Sequence, residues 1–164
     1  MKIFLDANIL VSVLNKEYPL FTYSSRILSL SGRNGFSIYT SPLCLAIAFY
    51  FSEKKYKSTV AKSKIEILCR HINISDNNKN TVAKTLQNHT INDFEDGLEY
   101  YSALESKCHC IITEDINDFY FSKLEVLTSE GFFTKYLMKG WVCNRTIISY
   151  LGYFTLFLRA KKYG

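Results

Sequence analysis

Residues 2–10 read KIFLDANIL, and the order of their side chains decides how the rest of the chain is read. Ile3, Phe4 and Leu5 form a short apolar run of buried-strand character, Asp6 ends it, and Ile9, Leu10, Val13 and Leu14 follow at helical spacing. Strand, carboxylate, helix is the start of a βα unit. Residues 110–119, CIITEDINDF, repeat the theme: four residues of strand character run straight into Glu114, Asp115 and Asp118. Like charges crowded at the end of a core strand repel one another, so something must make the crowding favourable.

The segments between these two stretches alternate in the same way. A helical pattern over 23–30 leads through the turn signal GRNG at 32–35 into a strand at 36–40. Ser41 and Pro42 have the character of an N-cap and a first helical residue, opening a helix over 42–53. A further helix is expected over 57–70, a strand at 72–75, a polar turn at 76–80 and a short helix over 81–88. Phe94, Leu98, Tyr101 and Leu104 put an apolar stripe on a helix over 93–107, and strands are expected at 108–113 and 124–127. Such alternation predicts an α/β fold with a parallel sheet covered by helices on both faces.

At 164 residues and 48% hydrophobic content the chain is long and apolar enough for one folded domain, which excludes intrinsic disorder. A net charge of +5 is well short of a dedicated nucleic-acid arm. The five cysteines, Cys44, Cys69, Cys108, Cys110 and Cys143, are odd in number and scattered, as expected of reduced thiols in a cytoplasmic protein. Asp6 interrupts the apolar start, so a signal peptide is not expected. Residues 146–158, TIISYLGYFTLFL, are almost wholly apolar. As a helix they would reach roughly 20 Å, short of the ~30 Å hydrocarbon core, so no stable membrane span is expected. An added helix, a dimer or partner contact, and an aggregation-prone extension all stay open for this tail.

In an open parallel sheet, ligands bind beyond the carboxyl ends of the strands, where strand order reverses. Asp6 and Asp115 share that rim if their strands are neighbours, and Asp93 and Asp96 begin a helix in the same layer. Taken singly, Asp93, Asp96 and Asp115 are each also accounted for as helix caps. Taken together, they suit Mg²⁺, a hard ion that prefers oxygen, keeps several waters, and activates water against a phosphodiester. Cys108-His109-Cys110 lacks a second ligand pair and reads as a strand entrance. Lys54, Lys55, Lys57, Lys62, Lys64 and Arg70 are either solvated helix faces or contacts to an RNA backbone.

Three segments in order, KIFLDANIL at 2–10, DFEDGLEYYSAL at 93–104 and IITEDINDF at 111–119, resemble the PIN domain family, in particular the bacterial VapC-type toxins of toxin–antitoxin pairs. The likeness covers 1–133, leaving 134–164 as an apolar C-terminal extension. It implies a Rossmann-like sheet and a ribonuclease dependent on Mg²⁺ or Mn²⁺. Asp6, Asp96 and Asp115 would be its metal-holding catalytic acids, with Asp118 a fourth candidate, Asn8 orienting Asp6, and Asp93 beside them. RNA is the implied substrate, with an antitoxin protein and a homodimer as candidate partners. Two positions depart from the family pattern: Ala7 stands where a hydroxyl is common, and the helix after the second strand has no acid near Ile47 and Ala48. A catalytically silent module that binds RNA or a protein without cutting is the alternative these departures favour.

Overall fold

The computed structural model describes residues 1–138. Five short strands, β1 Lys2–Leu5, β2 Ser37–Thr40, β3 Asn73–Ile74, β4 Cys110–Ile112 and β5 Glu125–Leu127, form one sheet in the order β3-β2-β1-β4-β5. Every neighbouring pair is parallel. β1 is central, with Ile3 opposite both Ile38 and Cys110. Its unbroken apolar run is what a strand covered on both faces requires, and Ile3, Phe4 and Leu5 are all fully buried. The expected Rossmann-like α/β sheet is therefore the fold.

Helices α1 Ala7–Asn15, α2 Phe21–Leu28, α3 Pro42–Lys55 and α4 Ser58–Cys69 connect β1 through β2 to β3, while α5 Lys79–Gln87 and α6 Phe94–Glu105 carry the chain back to β4. Right-handed crossovers put these two groups on opposite faces, because strand order grows one way from β1 and then the other. The reversal between β1 and β4 is the switch point.

Local chemistry sets the helix boundaries. Ser41 Oγ accepts from the Cys44 amide at 3.0 Å with Pro42 in the first turn, as expected. α5 starts two residues earlier than expected because Asn78 caps it, accepting from the amides of Asn80 and Thr81 at 2.9 and 3.1 Å. At the end of α1 the Lys55 and Lys64 ammoniums donate to the carbonyls of Asn15 and Leu14, each at 2.5 Å. Two of the six basic positions thus complement a helix C-terminus. Burial, with Lys16 and Lys55 nearby, lowers the Lys64 pKa to about 8.

α6 buries most of the expected stripe, with Leu98 buried and Tyr101 and Leu104 packed against the core, but not its first member. Phe94 is 47% exposed, while Leu98, Glu99, Tyr100 and Ala103 are buried. Gly97 sets how closely the helix packs: a Cβ there would lie 2.4 Å from Thr85 Cγ2 and 2.9 Å from Ile91 Cγ2, so α5 and the Ile91 loop press directly against the α6 backbone. The next positions, Glu99, Tyr100 and Ala103, then point into the domain.

Cys108 and Cys110 are buried at the start of β4, and burial pushes both thiols up to about 12, which leaves them inert. His109 Nδ1 accepts from the Lys2 amide at 3.0 Å. These contacts give the Cys-His-Cys triplet a place in the strand entrance. Cys44 and Cys69 are also free thiols. After β5, a short helix, α7 Ser129–Phe132, passes into a π-helical turn, Phe133–Leu137, with Phe132, Phe133 and Leu137 in the core. The apolar stretch 146–158 and Cys143 lie outside the described residues. Among the described residues no helix is long and apolar enough to cross a membrane.

Candidate metal centre at the switch point

Leu5 pairs with Ile112, and the Asp6 amide donates to the Ile112 carbonyl at 3.1 Å, so the residues that leave the two strands, Asp6 and Thr113, meet side by side. Thr113 Oγ1 donates to Asp6 Oδ2 at 2.6 Å. The same oxygen accepts from Asn8 Nδ2 at 2.9 Å and from the Asp115 amide at 3.0 Å, which uses its full hydrogen-bonding capacity. Asn8 Nδ2 also donates to Asp115 Oδ2 at 3.1 Å, and Asn8 Oδ1 accepts from the Glu114 amide at 3.3 Å.

Asn8, expected to orient Asp6, therefore binds Asp115 directly and reaches Asp6 through Thr113. Thr113 was not among the residues expected at the site. Its signal in the sequence is weak: it is the first polar residue after the β4 apolar run, and it becomes informative only once β1 and β4 are known to pair. Glu114 has a different task, with Oε1 accepting from the Ser129 amide and hydroxyl at 3.0 and 2.7 Å at the start of α7.

Asp6, Asp96, Asp115 and Asp118 line one cavity of about 430 Å³, together with Glu95, Asn8 and an apolar set that includes Ile47 and Phe51. No lysine or arginine among the described residues lines it. Asp93 does not line it. It caps α6 instead, accepting from the amides of Glu95 and Asp96 at 2.8 and 3.4 Å. Asp6, at the N-cap position of α1, makes no capping hydrogen bond with its side chain.

Repulsion in the cavity is expressed in its acid–base properties. Burial raises the pKa of Asp6, opposed by hydrogen bonds from Glu99, Thr113 and the Ala7 amide. Asp96 is raised to about 7, first by burial and then by the charges of Asp93, Asp118, Asp6 and Glu95. Glu99, 1% exposed and one helical turn beyond Asp96, is raised well above its usual value by burial and by Cys44 and Asp6. Its Oε1 accepts the Cys44 thiol at 3.1 Å, and its carboxyl is in hydrogen-bonding contact with Asp6.

A divalent cation would reverse the sign of these interactions. The donors are hard oxygens. Among the described residues no three acids gather tightly enough to form a preformed cage. The hard-oxygen donors themselves fit Mg²⁺ or Mn²⁺, ions held by one or two carboxylates with waters completing the shell.

Without metal, these raised pKa values have a direct effect on stability. Asp6, Asp96 and Glu99 all bind protons more tightly in the folded chain than in the unfolded one, so stability falls as pH rises from about 4 to about 7. Chelator-treated protein should melt at a lower temperature at pH 7.5 than at pH 5, and Asp96→Asn should shrink that difference. An unchanged difference in the variant would remove Asp96 from the account.

The fold is similar to that of known proteins. VapBC2 from Rickettsia felis, solved bound to a DNA fragment from its promoter, is similar with a TM-score of 0.59 and 22% identity, covering 77% of this chain and 97% of that chain. VapBC-1 from nontypeable Haemophilus influenzae is similar with a TM-score of 0.63 and 17% identity, covering 79% and 99%. VapC20 from Mycobacterium tuberculosis, a toxin that cleaves the sarcin–ricin loop, gives 0.57 and 12%, covering 75% and 98%. No curated protein matches the chain. The family model of the PIN domain matches residues 2–117, which carry β1 through β4 and every acid of the cavity except Asp118. By that match the chain belongs to the PIN domain family.

Proposed function

We propose that the protein is a metal-dependent endoribonuclease acting as the toxin of a toxin–antitoxin pair in the cytoplasm. The observation that carries this reading is the convergence of Asp6, Asp96, Asp115 and Asp118 on one cavity with no basic residue among its described lining. When bound there, Mg²⁺ or Mn²⁺ would polarise a phosphodiester and lower the pKa of an attacking water. Asp6 and Asp115 are hydrogen-bonded by Thr113 and Asn8 respectively, and would be the first residues to hold the ion. Asp96, whose carboxyl burial and the neighbouring acids push up to about 7, would hold the ion from the start of α6. Asp118, exposed on the same wall, is suited to a water-mediated contact.

The fold shared with a toxin that cleaves the sarcin–ricin loop makes RNA the first substrate to test. The likeness to two VapBC structures makes a small antitoxin protein the first partner to seek. Incubating the purified chain with mixed RNA and Mn²⁺, with and without EDTA, tests the enzyme. Cleavage that stops with chelation supports it.

A silent binding module is the second reading, favoured by Ile47, which lines the cavity from α3 where the family pattern calls for an acid. RNA or a protein partner bound without cleavage in any metal would establish it.

Thr113→Val separates ion binding from general stability. It keeps the shape of the side chain while removing the hydroxyl that three groups share, and it is expected to weaken Mn²⁺ binding by roughly 10–100-fold. Calorimetric titration checks this, and affinity equal to that of the unmodified protein would exclude Thr113 from the site.

A further inference from the structure

We propose that Phe51 is a base-stacking platform, so that the strand entering the cavity is single-stranded RNA with an unpaired base laid against α3. This rests on the reading of the cavity as a ribonuclease site above. At about 430 Å³ the cavity has the size of sites that hold an organic ligand, roughly 300–1,000 Å³. The acids proposed to hold the ion come from α6 and from the segments that follow β1 and β4. Val11, Leu20, Ile47 and Phe51 add an apolar surface from α1, the start of α2 and α3.

No lysine or arginine among the described residues lines the cavity, so beyond the ion nothing cationic inside it holds a phosphate. What the cavity offers instead is apolar surface, and the broad apolar surface of a nucleotide is the face of its base. In a duplex both faces of a base are covered by its neighbours, so only an unpaired base can use such a surface.

Phe51 is the part of that surface best suited to a base. It lines the cavity and yet is 46% exposed, and Ile47, one turn earlier on the same face of α3, continues the apolar contact. Tyr50, 54% exposed, meets Phe51 edge to face with 5.4 Å between ring centroids. Lys54 Nζ lies 3.9 Å from the Tyr50 centroid and 5.5 Å from that of Phe51, and among the described residues it makes no ion pair. Exposed rings beside a free ammonium are the combination that grips a single strand, with bases stacked on the rings and the cation against a phosphate. Lys54 thus supplies, next to the cavity, the positive charge that its described lining lacks.

Anisotropy of a short labelled single-stranded RNA, and of the same strand in a blunt duplex, tests the platform in EDTA, where metal-dependent cutting stops. The unmodified protein should prefer the single strand. Phe51→Ala should bind it roughly 5–150-fold more weakly, the usual loss when a stacking ring is removed. Half-exposed as it is, Phe51 should be replaceable without unfolding, which a thermal melt checks. Phe51→Trp keeps a stacking face and should stay within about threefold, and RNA should quench its added fluorescence over the signal of Trp141 in the unmodified protein. Lys54→Ala should reduce the slope of log affinity against log salt by about 0.7, whereas Phe51→Ala should leave that slope unchanged.

Equal affinity for duplex and single strand, unchanged affinity in Phe51→Ala, or no RNA binding by the unmodified protein would each overturn the proposal. So would Phe51→Trp as weak as Phe51→Ala with no quenching. A dimer that dissociates in Phe51→Ala at unchanged RNA affinity would give this face to a second copy of the chain instead. Absence of cleavage in Mg²⁺ or Mn²⁺, together with weakened binding by Phe51→Ala, would end the nuclease reading and leave the platform standing.

Discussion

Asp6→Asn should abolish metal-dependent RNA cleavage, lowering the rate by at least ~100-fold, since even partners one shell away from a metal commonly cost 10–100-fold. The reason lies in the fold. Asp6 is the residue at which the central strand hands the chain to α1, it is 8% exposed, and Thr113 fixes its carboxylate across the switch point. An amide in its place keeps the volume and loses the charge on which a cation depends. The same substitution should not lower the melting temperature of metal-free protein and should tend to raise it, because the Asp6 charge is unfavourable in the empty cavity. Lost cleavage with intact or improved stability is therefore the expected pair of results. Cleavage by Asp6→Asn at the unmodified rate would end the nuclease reading, whatever its stability.

The largest effect on stability is expected from Phe4→Ala. Phe4 is fully buried in β1, with Tyr39 on one neighbouring strand and Ile111 on the other. Truncating a buried phenylalanine removes its transfer free energy and leaves a cavity, which costs about 3–5 kcal/mol. That is a large part of the 5–15 kcal/mol typical of a domain. Urea unfolding measures it, with Phe94→Ala as the control. Phe94 belongs to the stripe expected from the sequence but is 47% exposed, so its truncation should stay within about 0.5 kcal/mol. A large loss for Phe94→Ala and none for Phe4→Ala would mean that the core has been assigned to the wrong residues.

The contrast between these two phenylalanines marks how far the sequence could be read. The βα start was legible because Ile3 to Leu5 are too short a run for a helix and Asp6 breaks it, and the sheet class followed from the alternation of such runs. The convergence of Asp6, Asp96, Asp115 and Asp118 was legible because strand ends in a parallel sheet share one rim. The face of α6 was legible in part: Leu98 is buried and Tyr101 and Leu104 pack against the core, whereas Phe94 is exposed and the close approach at Gly97 leaves no mark in apolarity. Asp93 carried a capping signal and an acid signal at once, and the capping role is the one its hydrogen bonds fulfil. Thr113 escaped notice for a further reason: it matters through a residue 107 positions away, and such a pairing exists only after folding.

Gly97 gives the acid-bearing helix a hidden constraint. The atoms that a methyl group would strike belong to Thr85 and Ile91, neither of which lines the cavity. Admitting even one carbon there would force Thr85, Ile91 or the helix to shift, and a shift of the helix would carry Asp96, its immediate neighbour, along. The aim of a cavity acid is thus tied to packing at a residue that does not itself line the cavity.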